Sequence, residues 1–303
     1  MEKKFGFQSN FKAFLALMLL FSISCNNNPK TSSNNTTIKG ATKTASIGIS
    51  PTDIIPQKTD SSAYIDLYPA IHSTPITYDS TKKYIYLTFD DGPQNGTTTC
   101  LQLVKNEQIK ATFFMIGNQV GDEYLKKLVR SVRNDYPEIL LANHSNTHAN
   151  NRYRYFYHHP NMAFEDFMQA QEKLHVPFKI IRLPGNSAWV SATSFRASPL
   201  VKPVCMKLDS AGYNVIGWDV EWGFDHKTAN PIESPETMFQ MVNNAFEKNY
   251  THTKNHLVIL THDRMFRHAN FTDSLQKFIG LLKQNPNYIF ETVDHYPNLK
   301  KPL

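Results

Sequence analysis

The sequence predicts an α/β fold, a parallel sheet or barrel of β/α units, and two observations carry that expectation. Seven short apolar runs follow one another from residue 84 onward, with helix-like amphipathic stretches between most of them. The runs are apolar throughout rather than alternating, as strands buried on both faces are. The strands expected are "YIYLTF" (84–89), "ATFFMI" (111–116), "EILLAN" (138–143), "FKIIRL" (178–183), "YNVIGW" (213–218), "HLVILT" (256–261) and "YIFETV" (288–293). In 162–174, Phe164, Phe167, Met168 and Leu174 recur at near-helical spacing. In 272–284, Leu275, Phe278, Ile279 and Leu282 do the same, after a Thr272-Asp273 start that can cap a helix.

Ahead of this rhythm the chain changes character. Lys3, Lys4 and Lys12 precede the apolar run "FLALMLLFSIS", which has the basic-then-apolar shape of a secretory signal and is short for a membrane span. Cys25 follows it directly and resembles the lipidated first residue of a bacterial lipoprotein, although Ser22 stands where Leu or Val is usual. Plain secretion and a retained anchor are the alternatives. The expected organisation is a signal over 1–24, a flexible tether over 25–80 that partly packs on the domain, and a catalytic domain over 81–303. The tether is rich in Asn, Thr, Ser, Lys and Pro. The formal charge of +6 falls to +4 without the signal, and no Lys/Arg block occurs, which argues against a nucleic-acid partner. Cys100 and Cys205 are left as either a disulfide or two buried thiols.

Chemistry-bearing residues gather at the ends of the predicted strands, where α/β folds place their active sites. Asp90 and Asp91 end the first, His144 and His148 follow the third, and Arg182 ends the fourth. Asp219 and Glu221 follow the fifth, and His262 follows the sixth. One such residue means little; five successive or near-successive strand ends exceed what core packing explains. The histidines of "HSNTH" are four apart and can converge on one point. With a carboxylate from the first strand end they make a set that suits Zn²⁺ and leaves a position open for water. The adjacent aspartates of "LTFDDGP" are harder to place. Neighbours on a strand point to opposite faces, and Asp-Gly-Pro turn chemistry accounts for only one of them.

Thr88-Phe89-Asp90-Asp91-Gly92, His144-Ser145-Asn146-Thr147-His148 and Leu260-Thr261-His262 resemble the motifs of the polysaccharide deacetylases, carbohydrate esterase family four, with their NodB homology domain. The likeness covers roughly 81–295 and implies a distorted (β/α)7 barrel of that type. It implies a divalent metal on Asp91, His144 and His148, zinc first, with cobalt and nickel as alternatives. Asp90 would be the general base for the water at the metal, and His262 would protonate the leaving group. Arg182 would orient Asp90, and Asp219 would hydrogen-bond His262, with Glu221 as the competing choice. Two motifs depart from the family pattern. Arg182-Leu183-Pro184-Gly185-Asn186 lacks the usual aromatic, with Pro184 and Gly185 expected on the substrate side. Trp218-Asp219-Val220-Glu221-Trp222 has an ambiguous register, and Trp222 is either a wall for the acetyl methyl or core.

The implied activity is metal-dependent removal of N-acetyl groups, with O-acetyl as an alternative, from peptidoglycan, a chitin-like oligomer, another exopolysaccharide or xylan. The protein would act outside the cell, held to the membrane by a lipid on Cys25. Hydrolysis of a small amide or cyclic imide, and a catalytically silent glycan-binding lipoprotein, are the competing readings. The stretch "NNRYRYFYHHP" (150–160) is either a groove wall that stacks sugar rings or a loop covering the barrel, and His158 and His159 fall outside the metal set.

Overall fold

The computed structural model describes residues 67–300; the signal-like segment and Cys25 lie outside them. Ten strands form one curled sheet: β1 (Lys83–Gly92), β2 (Ala111–Met115), β3 (Ile139–Asn143), β4 (Ile180–Ile181), β5 (Trp189–Val190), β6 (Phe195–Arg196), β7 (Asn214–Val215), β8 (Val220–Glu221), β9 (His256–His262) and β10 (Tyr288–Phe290). Their order is β6-β5-β7-β4-β3-β2-β1-β9-β8, with β10 added beside the first residues of β1. Pairing is parallel except where β5 joins β6 and β7. No pairing between β6 and β8 closes the ring among the described residues, so the barrel is distorted and open along one side.

All seven predicted strands are present. The fourth, fifth and seventh are much shorter than their apolar runs; residues 178–179 form a bend, and Val293 opens a 3₁₀ turn. The reason the runs are apolar throughout is visible in β1. Ile85, Leu87 and Phe89 face outward into a core shared with α1 (Thr97–Asn106), α6 (Pro235–Glu247) and α7 (Ala269–Lys283). Tyr84 and Tyr86 face the barrel interior, with Phe114, Leu140, Ile180 and Val258. By the same alternation Thr88 and Asp90 continue the interior face.

A further core lies under α3 (Tyr153–His158), α4 (Pro160–Lys173) and α5 (Lys202–Ser210), holding Phe156, Tyr157, Phe167 and Cys205. Cys100 belongs to the core beneath α1, and both cysteines are free and buried, which decides against a disulfide. The helix α2 (Glu123–Asn134) starts from Asp122, whose side chain accepts from Leu125 N. The final helix begins at Ala269, earlier than the Thr272-Asp273 start expected, because the 3₁₀ turn Asp263–Phe266 runs almost directly into it. Thr272 Oγ1 then bonds the Phe266 and His268 carbonyls instead of capping.

Residues 67–80 lie against the domain. Tyr68 stacks on His175 at 3.6 Å, Ser73 Oγ donates to Asp294, and the Tyr78 hydroxyl donates to the His295 carbonyl.

Phe113, in the middle of β2, is 1% exposed and stacked on Phe89 at 4.8 Å between ring centres. Truncation there leaves a cavity that neither sheet nor helix can collapse into. We expect Phe113→Ala to cost about 3–5 kcal/mol in urea unfolding, with the slope of the transition unchanged.

Candidate active site

The adjacent aspartates reach one point because β1 is bulged. Its register with β2 slips between Asp90 and Gly92, and Asp91 takes a left-handed φ of 74°. A bulge re-aims the extra residue, so Asp91 joins Asp90 at the mouth instead of pointing to the opposite face. Asp tolerates that backbone region better than most residues. Gly92 is needed next, since a side chain there would meet Asp263 Oδ2 at 2.7 Å.

The histidine loop is held from beneath. Asn143 Oδ1 accepts from Ser145 N, and the buried Asp166 of α4 accepts from Asn146 N and Thr147 N at 2.8 and 3.1 Å. Ser145 Oγ accepts from His148 N, and Ser145 and His148 both have positive φ. The pair is therefore set by a strained loop, not by a helical turn. His148 Nε2 lies 3.2 Å and His144 Nε2 3.5 Å from Asp91 Oδ1.

Donor chemistry makes this cluster a cation site. His144 Nδ1 sits 3.0 Å from the Arg182 carbonyl, which fixes its proton there and turns the Nε2 lone pair toward both aspartates. Burial pushes the His148 imidazole down to about 4, aided by His144, so it is neutral and able to ligate at pH 7. Burial opposes the charge on Asp91, yet contact with His144 and the field of His262 and His148 hold its carboxyl well below the usual range. Asp91 Oδ1 is buried without a hydrogen-bond partner. One ligand atom from each of Asp91, His144 and His148 lies within 4.8 Å of the others, the one such group among the described residues. These residues fit a divalent ion.

Asp90 is held by Arg182, which is wholly buried. Nη1 donates to Asp90 Oδ1 at 2.9 Å and to Thr88 Oγ1 at 2.5 Å, while Nε and Nη2 donate to the Ile216 and Gly217 carbonyls. Burial lowers the guanidinium pKa and the Asp90 charge opposes this. Asp90 Oδ2 faces the histidines, 3.7 Å from His144 Nε2. His262, paired in register with Asp90 at the end of β9, completes the centre. Its Nδ1 is buried and unpartnered, Phe224 meets its ring edge-on at 4.7 Å, and burial lowers its pKa against the pull of Asp91 and Asp90.

Three expected side chains lie elsewhere. Asp219 does not reach His262, because its two oxygens accept from His252 N at 2.6 Å and Val258 N at 2.8 Å. Burial raises its carboxyl to about 6. Glu221 lines the cavity, and no bond joins it to His262. Trp222 is fully buried between Phe266 and Phe278, with its indole N–H on the Glu233 carbonyl; it is core, and Trp218 lines the cavity instead. Pro184 is buried with its carbonyl accepting from Tyr157, whereas Gly185 does line the cavity. Gly185 has φ 62°, and a side chain there would meet the Tyr153 ring at 3.1 Å. Tyr153 in turn puts its hydroxyl 3.4 Å from His148 Nδ1, and it belongs to the aromatic stretch 150–160. That stretch is split: Asn150, Asn151 and Tyr153 line the cavity, while Phe156 and Tyr157 are core. His159 bonds the Tyr155 carbonyl, away from the metal set.

The whole centre opens into one cavity of about 620 Å³. A sequence profile described as polysaccharide deacetylase matches residues 77–187. The chitin disaccharide deacetylase of Vibrio alginolyticus is 26% identical, over 72% of this chain and 72% of its own. A putative polysaccharide deacetylase, YheN, of Bacillus subtilis is 28% identical over 60% of this chain and 58% of its own length. Among solved structures, the catalytic domain of a peptidoglycan N-acetylglucosamine deacetylase from Eubacterium rectale superposes with a TM-score of 0.53. It covers 76% of this chain and 97% of that one at 23% identity, a likeness of fold. Profile and relatives agree in likening this chain to the polysaccharide deacetylases, hydrolases of carbohydrate esterase family four, and the superposition shows that it shares their fold.

Proposed function

We propose that the protein hydrolyses acetyl groups from an acetylated glycan with the help of a divalent metal. The observation that supports this most is the meeting, in one cavity, of a three-ligand cluster, a carboxylate locked by a buried arginine, and an unpartnered imidazole. Asp91, His144 and His148 would hold the ion, zinc first by the chemistry of the donors. A divalent ion bound there supplies Lewis-acid polarisation of the acetyl carbonyl and a lowered pKa for water.

The chain's own groups divide the proton work. Arg182 occupies Asp90 Oδ1 and leaves Oδ2 turned into the cavity as the acceptor of the water's proton. As water oxygen bonds to the acetyl carbon, that proton passes to Asp90. The carbon–nitrogen bond then breaks, the sugar amine takes a proton from the His262 imidazolium, and acetate departs. Burial holds His262 below its ordinary pKa, which makes its charged form a ready donor to the leaving amine. The Phe224 ring packs edge-on against it and helps hold its orientation. The same geometry serves an ester, with an alkoxide in place of the amine.

Export and attachment through a lipidated Cys25 complete the reading, on the strength of the signal-like N-terminus. Labelled palmitate fed to expressing cells should enter the protein and be lost in Cys25→Ala; an unlabelled wild type rules the anchor out.

Dialysis against a chelator should abolish acetate release from an acetylated oligosaccharide, and stoichiometric zinc, cobalt or nickel should restore it. Activity that survives with no bound metal overturns the metal-dependent reading. Asp90→Asn should lower kcat/KM by about 10²–10⁴-fold while metal content stays at the wild-type value. Full activity in that variant would remove Asp90 from the base role.

A further inference from the structure

Two arginines, three residues apart, follow His262 along the chain, and they are used differently. Arg267 is committed to the backbone: Nη1 donates to the Arg264 carbonyl at 2.8 Å and Nη2 to the Thr228 carbonyl. It thereby ties the 3₁₀ turn Asp263–Phe266 to the loop after β8. That loop is braced in its own right, with Gly223 N donating to Glu233 Oε2 and Ile232 N to the Gly223 carbonyl.

Arg264 lines the cavity, and its guanidinium makes no hydrogen bond or ion pair to any described residue. Glu221 lines the same cavity and is not paired with it. The guanidinium lies over the Phe224 ring at 4.7 Å from its centre, and the same ring meets His262 at 4.7 Å. The ring contact holds the group at the cavity wall with its N–H donors uncommitted, two ring contacts from the candidate acid. A planar guanidinium stacked on an aromatic is weakly hydrated and matches a carboxylate with two parallel bonds. The two acidic groups at the centre do not compete for it. Asp90 is bonded to Arg182, and Asp91 belongs to the ligand cluster.

We propose that Arg264 binds a carboxylate on the substrate, within about one sugar of the acetyl group that is removed. The preferred substrate is then an acidic acetylated glycan, one that carries uronic acids or lactyl-ether sugars, and not a neutral polymer. This rests on the glycan deacetylase reading and names the substrate class for it.

The test compares an acetylated oligosaccharide containing uronic acid with the same oligosaccharide after methyl esterification of its carboxyls. Both are given to the metal-loaded, full-length protein. The free acid should be the better substrate by about tenfold or more in kcat/KM, the scale of a charged hydrogen-bonded pair. The advantage should reside in KM and shrink as salt is raised. Arg264→Gln should collapse the ratio of acid to ester toward one, and Arg264→Lys should keep part of it. A wild-type ratio of one, or a ratio that Arg264→Gln leaves unchanged, overturns the assignment while the deacetylase reading stands. If neither form nor a neutral chito-oligosaccharide releases acetate, the deacetylase reading itself fails. The esterification arm needs no variant, so it decides even if Arg264→Gln does not fold.

Discussion

The site depends on one buried ion pair. Arg182 is completely enclosed in the barrel mouth, and burying a charge costs several kcal/mol unless its donors are matched. They are matched by groups from β1 and from the segment that follows β7. Asp90 and Thr88 come from β1, and the Ile216 and Gly217 carbonyls follow β7. Phe114, at 4.2 Å, covers the guanidinium face from β2. Because the partners come from β1, from the end of β7 and from β2, satisfying the guanidinium also fixes how those strands curl toward one another. The Arg182 carbonyl extends the same constraint to His144 Nδ1. One residue therefore orients the candidate base with its side chain and a candidate ligand with its backbone.

Around that pair, strain is spent where the ligands are. Asp91, Ser145 and His148 have left-handed backbone, and Ala149, Asn150 and Asn151 continue the run. Such residues cost free energy that the surrounding structure must offset. Here Asp166 and Asn143 offset it by holding the loop's amides from below. The ligands are thus placed by a rigid strand on one side and a side-chain-pinned loop on the other.

Most of this architecture was legible because buried parallel strands leave long apolar runs, and the reactive residues follow them directly. The meeting of Asp90 and Asp91 was legible only as a question, since a one-residue bulge leaves no mark in an apolar pattern. Asp219 misled for a related reason. In Trp218-Asp219-Val220-Glu221-Trp222 the short strand β8 alternates sides, which sends Trp222 to the core and leaves Asp219 to bind one amide ahead of β9 and one within it. Two-residue strands such as β5 and β6 carry too little pattern to be seen. Asp166 was hidden inside an amphipathic helix, where an acidic residue reads as solvent-facing. Its burial against the loop was the unreadable part.

An unpartnered buried polar atom is often treated as the signature of a site, yet here it is insufficient. Asp294 Oδ1 and the Tyr296 hydroxyl also lack partners at the other end of the barrel. Asp294, however, accepts from Ser73 and Tyr136 through its second oxygen, and the nearby His295 is bonded to Glu291 and to the Thr74 carbonyl. That end is a largely satisfied network sealed by residues 67–80. Asp91 Oδ1 differs because it converges with two imidazole nitrogens, one with its proton fixed on the far side of the ring and one kept neutral by burial. Lone pairs gathered at one point raise the energy of an empty centre and lower that of a cation-filled one. Convergence, more than orphanhood, marks the functional end of this barrel.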